Sequence, residues 1–158
     1  MIKYTDAQIV FSEIPEETTL AINLSNCWFK CPKCHSPWLW KDVGYELTME
    51  ALDSLIKKNI EGITCVCFMG EGHYEQKYIN ARARYIKMHY PQLKVALYTG
   101  RSTMPPKLRL EYFDYVKIGP YNEKKGPINK PTTNQRLYTI VDGHVKKDIT
   151  YLFWKRKV

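Results

Sequence analysis

The stretch from Asn26 to Trp38, "NCWFKCPKCHSPW", sets Cys27, Cys31 and Cys34 close together and follows them directly with His35. Thiolates and imidazole are ligands for soft and borderline metals, so the chemistry on offer is metal binding, with zinc and an iron–sulfur cluster as the two candidates. The chain has five cysteines, an odd count with three of them in one loop, which in a reducing compartment reads as a metal site before it reads as disulfides. Structural zinc sites usually close a tetrahedron from two ligand pairs separated by a dozen or so residues. Here every ligand falls between positions 27 and 35, and His35 is adjacent to Cys34. Three thiolates spaced Cys-x3-Cys-x2-Cys can instead wrap one face of a 4Fe-4S cubane and leave one iron open to a chelating cofactor or substrate. An electron-transfer ferredoxin would supply four cysteines per cluster. Cys65 and Cys67, two apart in an apolar run, read more economically as small core residues.

The elements that must position this loop follow from the hydrophobic pattern. "QIVFSEI" (8–14) and "TLAINLS" (19–25) read as strands, and the cysteine loop leaves directly from the second. "LTMEALDSLIKKNI" (47–60) sets Leu52, Leu55, Ile56 and Ile60 on one helical face, with Thr48 as N-cap and Gly62 just past the end. "ITCVCF" (63–68) is a continuous apolar run, expected for a strand buried on both faces. A second helix is expected over 74–90, with Tyr78, the stem of Arg82, Tyr85, Ile86 and His89 at helical spacing and Pro91 ending it. "KVALYT" (94–99) reads as a strand broken by Gly100, "PKLRLEYF" as a short helix and "YVKIG" (115–119) as a further strand. "RLYTI" and "KDITYLFW" read as a closing pair around the Asp142-Gly143 turn. Strands alternating with helices argue an α/β chain with a mostly parallel sheet. A full eight-fold barrel needs roughly 200 residues or more. The expected architecture is therefore a partial, open β/α barrel or a doubly wound sheet. Ligands of such sheets gather at the carboxyl ends of the strands, where Cys27–Cys34, Gly70–Glu71, Thr99–Gly100 and Lys117–Gly119 all fall.

Cys-x3-Cys-x2-Cys immediately after the first core strand of an alternating α/β chain resembles the radical S-adenosylmethionine superfamily. "FMGEGH" (68–73) resembles that superfamily's Gly-Gly-Glu segment, with Met69 in place of the first glycine and Gly70-Glu71 retained. Together with "LYTGR" (97–101), "DYVKIGPY" (114–121) and the Asn-Gln-Arg of "PTTNQRLY" (131–138), the chain from about residue 8 to about residue 140 is similar to the activating proteins of anaerobic (class III) ribonucleotide reductases. The resemblance implies a radical-S-adenosylmethionine-type open barrel and a 4Fe-4S cluster on Cys27, Cys31 and Cys34. It implies S-adenosyl-L-methionine against the open iron, near His35, Gly70, Glu71, Thr99 and Lys117, with no catalytic residue beyond the cluster ligands. It also implies a flavodoxin-like electron donor, and a large reductase subunit on which a glycyl radical is made. His73 and His89 read as a loop and a helix-face histidine.

Length and composition frame these readings. The chain's 158 residues, 44% hydrophobic and 25% charged, suit one soluble globular domain. No apolar run approaches the roughly 20 residues of a membrane helix. The N-terminus has no apolar signal-peptide core, so a cytoplasmic protein is expected. The formal net charge is +8, and it is spread along the chain. The polar loop 122–135 is a candidate interface. Rival readings are an activase of another glycyl-radical enzyme, a small radical enzyme for a purine-like substrate, and a zinc-stabilised nucleic-acid-binding module. The last would draw on the positive charge and on four Trp, twelve Tyr and five Phe. Most of those aromatics fall inside predicted strands and helices, where core packing accounts for them, so no nucleic acid is expected.

Overall fold

The computed structural model describes residues 2–25, 44–71 and 75–154. Its strands are β1 (Lys3–Val10), β2 (Thr19–Leu24), β3 (Tyr45–Glu46), β4 (Cys65–Met69), β5 (Lys94–Tyr98), β6 (Tyr115–Ile118), β7 (Arg136–Val141) and β8 (His144–Asp148). Its helices are α1 (Met49–Asn59), α2 (Gln76–His89) and the single turn α3 (Tyr151–Trp154). Among these residues no helix is long and apolar enough to cross a membrane.

The strands form one sheet in the order β3-β1-β2-β4-β5-β6-β7-β8. β2, β4, β5 and β6 run parallel, while β1 and β3 on one side and β7 and β8 on the other pair antiparallel. The expected mostly parallel, open β/α barrel of the radical S-adenosylmethionine type is thus corrected to a mixed sheet in which four of seven pairings are antiparallel. The reason lies in the connections. Residues 11–18 are too few for the helical crossover that a parallel β1–β2 pair would need. Asp142 and Gly143, with φ of 51° and 78°, form the two-residue turn that suits a twisted antiparallel hairpin. Between β5 and β6 the expected helix shrinks to one 3-10 turn, Leu110–Tyr112.

Strand alternation divides the core. On one face Val66 and Phe68 of β4 join Ile22, Val95, Leu97 and Val116 under α1 and α2. On the other, Cys65 and Cys67 pack with Ile14, Ala96, Leu137, Ile149 and Phe153. β4 is therefore buried on both sides, as its continuous apolar run predicts. The cap of α1 is also as expected, the Oγ1 of Thr48 accepting the Ala51 N–H at 3.0 Å. α2 is rotated from its expected face. Ile79, Ala83 and Ile86 are buried with Arg82, while Tyr78 is 37% exposed.

The two helices are tied by Asp53 of α1. It accepts hydrogen bonds from the hydroxyls of Tyr85 (3.0 Å) and Tyr90 (2.5 Å) and pairs with Lys57 at 3.0 Å. The Tyr90 bond, then Lys57, hold its carboxyl at about 2, below the ordinary 3.8. A depressed native value means the bound, ionised form adds stability above the unfolded-state value, and that the gain is lost as pH falls towards about 2. Asp53→Asn should therefore lower the melting temperature at neutral pH and converge with the parent near pH 2, read by thermal unfolding across that range. A pH-independent deficit would show that lost packing, not charge, dominates.

Candidate functional site

Parallel strands bring their carboxyl ends to one edge, and the register aligns Asn23, Met69, Tyr98 and Lys117 across β2, β4, β5 and β6. The next residues of each strand therefore lie together just beyond the sheet. Gly70 N–H donates to the Tyr98 carbonyl at 2.7 Å, and Thr99 N–H donates to the Lys117 carbonyl at 2.9 Å. Of the residues singled out from the sequence, Gly70, Glu71, Thr99 and Lys117 thus converge on a single edge. Cys27, Cys31, Cys34 and His35 lie outside the described residues, as does His73. β2 leads directly into the segment that holds the cysteines.

The centre of this edge is Glu71, whose side chain is 2% exposed. Both its oxygens lie 3.0 Å from Nε of Arg101, and the Thr99 hydroxyl donates to one of them. Arg101 N–H in turn donates to Thr99 Oγ1 at 3.2 Å. A buried carboxylate is tolerable only when so paired. The network pins the turn after β4 to the turn after β5, and it occupies the oxygens that a general base would need. Lys117 is also largely buried. Its ammonium lies 3.2 Å from the Gly119 carbonyl and 5.0 Å from the centre of the Tyr98 ring. The Tyr98 hydroxyl donates to the Glu13 carbonyl, and burial pushes its pKa well above the ordinary value. It stays a neutral phenol at any working pH.

Among the described residues, two features of the edge lack partners. Gly70 has φ of +96°, a conformation that favours glycine, and a Cβ built on it would meet nothing within 4 Å. None of the described residues covers its backbone. Ser25, fully buried at the carboxyl end of β2, has a hydroxyl with no hydrogen-bond partner. Buried polar atoms are rarely left so, and an exception calls for an explanation.

Cys65 and Cys67 take the structural role read from the sequence. Burial pushes both thiols up, and the thiolate is the form that ligates metal. Among the described residues no group of three or more His, Cys, Asp or Glu is arranged to hold a metal ion. The loop 122–135 is braced from within: Asn122 Oδ1 accepts Lys124 N–H at 2.9 Å, Thr132 donates to the Lys125 carbonyl at 2.6 Å and Asn134 to the Pro120 carbonyl at 3.1 Å.

Sequence reasoning gave Arg101 and Ser25 no role. The signal for Arg101 was present, since "TGR" closes a buried strand and an acid, Glu71, follows the preceding strand of the parallel set. Comparison with protein-family models, with curated proteins and with solved structures finds no match to this chain.

Proposed function

We propose that the chain is a radical S-adenosylmethionine activating enzyme that makes a glycyl radical on an anaerobic ribonucleotide reductase. The observation that carries this reading is the Cys27-x3-Cys31-x2-Cys34 spacing in the sequence that follows β2, the first strand of the parallel set. Three closely spaced thiols form a donor set for a 4Fe-4S cluster with one iron left to a cofactor. Among the described residues the Gly70 backbone is uncovered and the Ser25 hydroxyl unpartnered, both beside that loop's point of departure, which fits a ligand seated on this edge. When bound, the cluster would supply the low-potential electron that cleaves S-adenosylmethionine, with a flavodoxin-like protein as the source.

The chain's own residues would bind and shield. Cys27, Cys31 and Cys34 would hold the cluster, and backbone near His35 would take the adenine edge. Gly70 lets the amino-acid end of the cofactor approach the main chain, and the Glu71–Arg101–Thr99 network keeps that main chain fixed. Glu71 is committed to its partners and Tyr98 is held neutral, so among the described residues this edge offers no acid–base pair. That supports a reaction whose difficult step belongs to a cofactor.

Two measurements test the reading. Anaerobic reconstitution should give iron with sulfide rather than zinc. Gly70→Val should weaken S-adenosylmethionine binding about tenfold, or ~1.4 kcal/mol, with iron content unchanged. Equal cofactor affinity in the variant would remove Gly70 from the site.

A further inference from the structure

A groove leaves the candidate site along the outer face of α2. Two adjoining cavities, of about 420 and 340 Å³, share Lys77, Asn80 and Lys107 and run from Arg101 to Tyr112. Their walls are the α2 positions 77, 80, 81 and 84, which fall on one helical face, and the segment 101–109. That segment is fastened to the helix. Gln76 Oε1 accepts Lys107 N–H at 2.5 Å, Asn80 Nδ2 donates to the Lys107 carbonyl at 2.9 Å, and Asn80 Oδ1 accepts Arg109 N–H at 2.8 Å. The floor amides are spent on holding the groove open, so what it presents to a visitor is charge.

That charge is one-sided. Among the described residues, Lys77, Arg84, Arg101, Lys107 and Arg109 line the two cavities against a single carboxylate, Glu75. Local ion pairs take up part of it: Lys77 lies 3.5 Å from Glu75, Arg109 2.9 Å from Glu111, and Arg101 3.0 Å from Glu71. Arg84 and Lys107 are exposed. We infer that this groove docks an extended acidic segment of a protein partner and leads it towards the carboxyl edge of the sheet. A prefastened groove costs little ordering on binding, and opposed charge speeds the encounter. A nucleic-acid strand fits less well. Its bases need aromatic platforms, and among the described residues Tyr112 is the one aromatic side chain lining either cavity. The inference stands on the groove itself and holds whether or not the cysteine loop carries a cluster.

The test is fluorescence anisotropy on the full chain, with a short labelled peptide of alternating glutamate and glycine and an oligothymidylate of equal charge as probes. The peptide should bind in a salt-sensitive way and more tightly than the oligonucleotide. Lys77→Glu/Arg84→Glu/Lys107→Glu, all at exposed positions, should weaken it at least about tenfold. The charge-matched Lys124→Glu/Lys125→Glu/Lys130→Glu in the loop should not, and circular dichroism should show both variants folded. Tighter oligonucleotide binding would make the groove a nucleic-acid site and overturn the proposal. So would no peptide binding at low salt, or a loss as large in the loop variant as in the groove variant.

Discussion

Replacing Cys31 by alanine is expected to leave the anaerobically reconstituted protein with background iron and sulfide and no cleavage of S-adenosylmethionine. Cys27→Ala and Cys34→Ala should do the same. Three thiolates hold three irons and define one open corner, so two cannot hold the same cluster with a single vacancy. The remaining cysteines offer no rescue. Cys65 and Cys67 face the underside of β4 among Ile14, Leu137 and Phe153, and burial pushes their thiols away from the ligating form. Cys65→Ala and Cys67→Ala should therefore keep full iron and lose only about 1 kcal/mol of stability each, the cost of a small core deletion. Stoichiometric zinc without sulfide in the parent protein would sink the cluster reading and leave the fold description untouched.

What could be read from the sequence divides along physical lines. α1 was legible because cap, period and terminus agree: Thr48 closes the first turn, and Leu52 and Ile56 are fully buried. β4 was legible because a strand buried on both faces has no polar side to confuse it. α2 was found but turned, since Tyr78 and Ile79 are adjacent and period alone does not choose between them. Arg82 then fills an interior position with its stem and donates from Nε to the Leu47 carbonyl at 2.8 Å. "KDITYLFW" was misread as a strand because its residues favour one locally. Asp148 overrides that preference: its side chain accepts both Thr150 N–H (3.0 Å) and the Thr150 hydroxyl (2.6 Å), which ends β8 and starts α3. β1 begins at Lys3, earlier than the expected 8–14, because its outward face is polar and its pairing with β2 is what makes it a strand.

The larger error was topological. Alternating strands and helices in the middle of the chain do give parallel pairing there, from β2 through β6. The flanks are governed by connection length, which is a property of the spaces between patterns rather than of the patterns. The strand-end logic survives this correction, since it needs only that β2, β4, β5 and β6 run together. It places Gly70, Glu71, Thr99 and Lys117 on one edge without any barrel. Arg101 escaped because a residue three beyond a strand end has no periodic signature. Its role comes from a carboxylate thirty positions earlier in the chain.

Mixed anaerobically with a large reductase subunit, S-adenosylmethionine and a strong reductant, the protein is expected to generate an organic radical on the reductase and not on itself. Among the described residues, the charged and phenolic side chains at the candidate edge already have partners within the chain: Glu71 with Arg101 and Thr99, Lys117 with the Gly119 carbonyl, Tyr98 with the Glu13 carbonyl. A small substrate would need recognition groups of its own from this set. A polypeptide loop needs fewer, because it arrives held by its own protein. Electron paramagnetic resonance should give a doublet from coupling to the one α-hydrogen left on a glycine. Deuterating the reductase glycines should collapse it to a singlet, since deuterium couples far more weakly. Cys31→Ala should give no signal, whereas Cys67→Ala should give the full one. Cofactor cleavage with no radical on a reductase that another activase can charge would break the link to this partner. The chain would then be read as a radical enzyme for a small substrate.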